Sequence, residues 1–199
     1  MKRQLTLVGI LLTLASMVAL APAASAAGTP NSFTLSPPNT AMAPSGPFAG
    51  GDDTASAEDG STLTLTGSGT FRPGHRSEVT GGGNWSTTNP DVPGSGTYRV
   101  TELVSWVRAP GTLLGTPLVD HIGNKADGSP GLAVFRIKYS DGLDGTLVVS
   151  CNLRGTPPSV DEGINASRGF VNFFHPAEPA FGKHSNRTLF HLLHEGAED

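Results

Sequence analysis

Three apolar runs lie between residues 96 and 153: GTYRVTELVSWV (96–107), GLAVFRIKYS (131–140) and GTLVVSCNL (145–153). Each is rich in β-branched and aromatic residues and is bounded by Gly, Pro or Asp, the composition of strands that fit a pleated, half-buried surface. In the second run Ala133, Phe135, Ile137 and Tyr139 share one face by period two, and in the third Leu147, Val149, Cys151 and Leu153 do. Asp141-Gly142-Leu143-Asp144 between them predicts a hairpin loop.

The remainder carries the same β signature more weakly. Ser61 to Thr66 alternates Leu63 and Leu65 with threonines, and a polar turn over Arg72 to Arg76 follows Thr70-Phe71. Gly81, Gly82 and Gly83 before Trp85 predict a bend, a bulge or a close approach of two backbones. One short strand is expected around Leu113 to Val119, and an aromatic one from Arg168 to Phe174. Arg187 to Glu195 reads as either a last strand or one short helix.

Ahead of this β region, residues 27–60 hold Pro30, Pro37, Pro38, Pro44 and Pro47, which argue against a helix or a central strand. They read as an extended arm with an acidic loop at Asp52, Asp53, Glu58 and Asp59. Residues 1–26 begin with Lys2 and Arg3, continue as an apolar run and end on small residues around Ala24-Ser25-Ala26. That is the plan of a secretory signal peptide for the general export route, without a lipid-accepting Cys or a twin-Arg pair. The expected organisation is a signal peptide at 1–26, an arm at 27–60 and a barrel-like domain at 61–199, with a secreted, extracellular destination.

The 199-residue chain has a net charge of −4, and loss of Lys2 and Arg3 with the signal peptide makes the remainder more acidic. Such a domain has no electrostatic footprint for nucleic acid, and no later segment is long and apolar enough for a stable membrane anchor. Cys151 is the single cysteine, so the core forms without an internal disulfide. Its place beside Leu147 and Val149 predicts a buried apolar side chain rather than a nucleophile.

Strict alternation along the longest run puts Tyr98, Val100, Glu102, Val104 and Trp106 on one face. A carboxyl there would be desolvated and its pKa raised, which makes Glu102 the candidate acid or base, with Tyr98 and Trp106 as candidate ligand contacts. The alternatives are a bulge that changes the register, or an ion pair between Glu102 and a basic side chain. No metal site is expected: His184, His191, His194 and Glu195 lie close together, yet they form no complete tetrahedral ligand set and no His-Glu-x-x-His motif. No Gly-x-Ser-x-Gly elbow and no phosphate-binding loop is present, and no cofactor is implied. Asn84-Trp-Ser86, Asn165-Ala-Ser167 and Asn186-Arg-Thr188 match the N-glycosylation acceptor pattern; the Ala-rich leader reads as bacterial, where such matches arise by chance.

Gly-Ser-Gly-Thr-Phe (67–71), Gly-Gly-Gly-Asn-Trp (81–85) and Gly-Ser-Gly-Thr-Tyr (94–98) follow one another as successive barrel strands would. Over residues 61–153 this order resembles uncharacterised secreted proteins of actinobacteria and, more distantly, small β-barrels of the allene oxide cyclase and dirigent type. The resemblance implies a barrel and carries over no functional residue. The fold class expected is all-β: a single small barrel or sandwich of about eight strands behind an extended Pro/Gly-rich arm. The function expected is binding of a small apolar molecule at the barrel mouth or interior. The alternatives are a cofactor-independent isomerase or cyclase working through Glu102, and a structural or adhesive extracellular protein.

Overall fold

The computed structural model describes residues 31–35, 52–116, 120, 123–178 and 186–193. The expected signal peptide, the prolines from Pro37 to Pro47, and His184, His194 and Glu195 lie outside the described residues. The described chain is all-β. Its fourteen strands begin with β1 (Asn31–Leu35), β2 (Asp53–Ser56), β3 (Thr62–Leu65), β4 (Gly67–Arg72), β5 (His75–Val79), β6 (Gly82–Thr87) and β7 (Gly94–Arg108). After a single 3-10 turn at Lys125–Asp127 come β8 (Gly128–Ser129), β9 (Gly131–Tyr139), β10 (Asp144–Cys151), β11 (Gly163–Arg168), β12 (Val171–Phe173), β13 (His175–Pro176) and β14 (Thr188–Leu192).

Every named pairing is antiparallel, and the pairings trace a nearly closed circuit. It runs β2–β3–β6–β7–β9–β10–β11–β12, and β13, directly after β12, returns to β2 through His175↔Ser56 and Pro176↔Ala55. This is the barrel that the alternating runs predict. The excess over about eight strands consists of short pieces and of a second ribbon that branches from it. The ribbon leaves at β4, which meets β6 at Ser68↔Gly82, and continues through β1 and β14 to β8.

The branch point explains the glycines. A Cβ on Gly83 would lie 1.8 Å from the Thr66 carbonyl oxygen, so only glycine lets β6 pass this close to the bend between β3 and β4. The Tyr98 hydroxyl donates to that same Thr66 carbonyl at 3.0 Å.

The ribbon closes over one end of the barrel with aromatic rings. Phe33 of β1 lies 4.8 Å from Phe135, Phe71 of β4 lies 5.5 Å from Phe135 and 6.0 Å from Phe190, and Trp106 lies 4.6 Å from Phe190. Near the other end Arg168 is buried with its guanidinium 3.9 Å from the Trp85 ring centroid, within cation–π range, and paired with Asp141 of the β9–β10 hairpin. Strand β9 runs from one aromatic group to the other and buries Ala133, Phe135, Ile137 and Tyr139 as its period-two pattern requires.

Two stretches of the expected arm are strands within the sheet. Asn31–Leu35 has β4 on one side and β14 on the other, and Asp53–Ser56 lies between β3 and β13. Proline excludes a central strand only where it falls, and the five residues after Pro30 contain none. Asp53, expected in a solvated loop, is fully buried with Ala55 on the inward face of β2. Leu113 to Thr116 forms a turn instead of a strand, held by the Thr112↔Arg154 bridge, by burial of Leu113 in the core and by the Arg154 guanidinium donating to the Gly115 carbonyl; residues 117–119 of the expected strand lie outside the described residues. The terminal stretch is a strand in its described part.

Phe33→Ala is expected to cost about 3–5 kcal/mol in urea unfolding, the usual penalty for emptying a closely packed aromatic site. A cost below about 1 kcal/mol would mean that β1 does not hold the ribbon to the barrel.

Candidate functional site

Glu102, Tyr98 and Trp106 do not converge. Strand β7 carries two bulges opposite β9, between Val100 and Glu102 and between Leu103 and Ser105. The first turns Leu103 inward where strict alternation would place Glu102, and the second restores Trp106 to the core side while Val104 points out. Glu102 therefore stands on the outer face of the sheet, opposite Arg136, and pairs with the guanidinium groups of both Arg76 and Arg136. Both alternatives to a desolvated acid, the bulge and the ion pair, are realised together. Glu102→Gln is expected to change stability by no more than about 1 kcal/mol, as exposed ion pairs do. A loss of several kcal/mol on urea unfolding would contradict that placement.

Tyr98 lies in the core, where burial pushes its hydroxyl pKa up and keeps the phenol neutral as a donor to Thr66. Trp106 is half-buried against Phe71 and Phe190. A Cβ on Gly131 would come within 2.7 Å of its ring, so glycine makes room for the indole. Both side chains serve the packing of the interior. Cys151 is fully buried, and burial raises its thiol pKa, as suits an inert core position.

Three buried polar arrangements escape a reading of the sequence because each joins distant segments. His191 of β14 meets Asp120 at 2.7 Å, with both side chains nearly fully buried, and Asp120 also accepts from the Gly123 amide at 3.0 Å. Arg168 joins β11 to the hairpin through Asp141. Glu162 accepts from the amides of Asn152 at 2.5 Å and Thr188 at 2.7 Å, tying the end of β10 to the start of β14.

Burial pushes the Glu162 carboxyl up to about 7, against the lowering effect of those two amides and of Arg187. The folded state therefore favours the protonated acid. Its contribution is complete below the unfolded value of 4.5 and is lost as pH rises through about 7. Relative to Glu162→Gln, which cannot titrate, the parent protein is expected to lose on the order of 1–3 kcal/mol of stability between pH 5 and pH 8. Parallel stability profiles for the two proteins would overturn this assignment.

Two grooves lie on the outer face of the sheet. One, of about 370 Å³, runs from the end of β7 across the start of β9 and the end of β10 to the loop at 157–161. Val107, Pro110, Leu132, Pro157 and Val160 give it apolar walls; Arg108 and Asp161 also line it. The other, of about 470 Å³, lies over β10, β11 and β12 and shares only Asn165 with the first. Among the described residues no group of three or more His, Cys, Asp or Glu side chains is placed to hold a metal ion. The chain matches no protein-family model, no curated protein and no solved structure.

Proposed function

We propose that this is a secreted β-barrel binding module for a small apolar molecule, held in the outer groove at the end of β7 rather than inside the barrel. The observation that carries this reading is the exposure of Val107 (65 %) and Leu132 (37 %) side by side in a walled groove. Apolar side chains so placed gain free energy when a ligand covers them. Two adjacent strands and a Pro-bounded loop set the walls, so little ordering is needed on binding. The volume falls within the ~300–1,000 Å³ of small-molecule clefts.

The interior is the less suitable place, because the rings of Phe33, Phe71, Phe135 and Phe190 occupy one end and Trp85, Tyr139 and Arg168 the other. Acid or base chemistry at Glu102 draws no support from a half-buried carboxylate held by two guanidinium groups on the outer face.

The test is titration with the neutral fluorophore N-phenyl-1-naphthylamine. Saturable enhancement is expected, weakened about tenfold by Leu132→Ser, since losing a buried apolar contact of ~1.4 kcal/mol is a factor of ten. No enhancement, or equal affinity in Leu132→Ser, would refute the proposal.

A further inference from the structure

We infer that the second groove, over β10, β11 and β12, is a binding site for a neutral carbohydrate chain. The inference does not depend on the apolar groove. Its side chains have the chemistry of a polyhydroxylated, uncharged ligand. Thr146, Asn165, Ser167 and Asn172 supply hydroxyl and amide groups, Val148 and Phe174 supply apolar surface, and no charged side chain lines the groove. The nearest cation in register, Arg136 opposite Thr146, is paired with Glu102.

Amides and hydroxyls both donate and accept, as sugar hydroxyls do, so the match needs no ionisation on either side. The fold leaves part of this capacity unused. Asn165 Oδ1 is buried without a hydrogen-bond partner, an unmet demand of the kind that a bound hydroxyl or an ordered water relieves. By contrast the Ser167 hydroxyl already accepts from the Thr146 amide at 2.9 Å, which fixes that wall.

The aromatic residues supply the other half of sugar recognition. Asn172 points outward from the middle of β12 and Phe174 follows the end of that strand, so both border the groove, whereas Phe170 sits in the β11–β12 turn outside its lining. Phe174 is 49 % exposed and lies 4.3 Å from the His175 ring, which leaves part of its apolar surface open toward the groove. The aliphatic C–H face of a pyranose ring packs on the electron-rich face of an aromatic ring while its hydroxyls reach neighbouring amides. A nucleic acid or another polyanion would need cations that this groove lacks.

The experiment uses the chain made in a host without N-glycosylation, because Asn165 heads an Asn-Ala-Ser acceptor in the groove itself. Cellohexaose, laminarihexaose, xylohexaose and chitohexaose are titrated by calorimetry and by saturation-transfer NMR. At least one is expected to bind, with Asn172→Ala and Phe174→Ala each weakening it about tenfold and Leu132→Ser leaving it unchanged. Asn172 and Phe174 are exposed, so unaltered melting temperatures are expected to accompany the losses. Absence of binding by all four at millimolar concentration, or binding that both groove variants leave intact, would overturn the inference. Failure of the fluorophore test would leave this result unaffected.

Discussion

Contact between the second ribbon and the barrel interior is the interaction on which the rest depends. Phe135 sits on the inner face of β9, and Phe33 and Phe71 reach it from β1 and β4. The chain has one cysteine and so no internal disulfide, leaving buried aromatic and aliphatic surface to hold the sheet. Rings at these separations gain both area burial and edge-to-face attraction, and they close the barrel end that β8 and β14 cover. Filling the interior in this way leaves the outer-face grooves as concave surface open to solvent.

The two bulges in β7 shape that outer face. Strict alternation would point Glu102 into the core; with the bulges it joins Arg76 and Arg136 outside, Leu103 takes the inward place and Val104 becomes exposed. One register device thus avoids a buried charge. The polar groups that do remain inside occur where segments meet. Glu162 joins β10 to β14, Arg168 joins β11 to a hairpin, and His191 joins β14 to Asp120. Each costs desolvation and recovers it through a specific partner, which favours one arrangement of the segments over others.

What the sequence made legible follows the range of the interactions involved. Strands β9 and β10 and their hairpin could be read because alternation and turn chemistry are local; Gly81 to Gly83 could be read only as a bend, a bulge or a close approach, and the contact of Gly83 with Thr66 shows the last of these. Strand β1 could not, since five residues among prolines carry too little pattern and its partners lie far along the chain at β4 and β14. The bulges were equally hidden: alternation through Glu102 is consistent with an unbroken strand, and only the pairing with β9 shows which residues are skipped. Of the candidate site, Tyr98 and Trp106 were correctly placed on the inward face but serve packing there. The outer grooves arise from cross-strand neighbours such as Val107 and Leu132, whose adjacency no single run reveals.

A filled interior and the proposed apolar site on the outer face together predict where a bound ligand is felt. Methyl NMR of the Ile, Leu and Val side chains during titration with N-phenyl-1-naphthylamine tests it most directly. The account predicts shifts confined to Val107, Leu132 and Val160, with Leu63, Leu65 and Ile137 unmoved. Shifts concentrated at Leu63, Leu65 and Ile137 would contradict it and place the ligand inside the barrel.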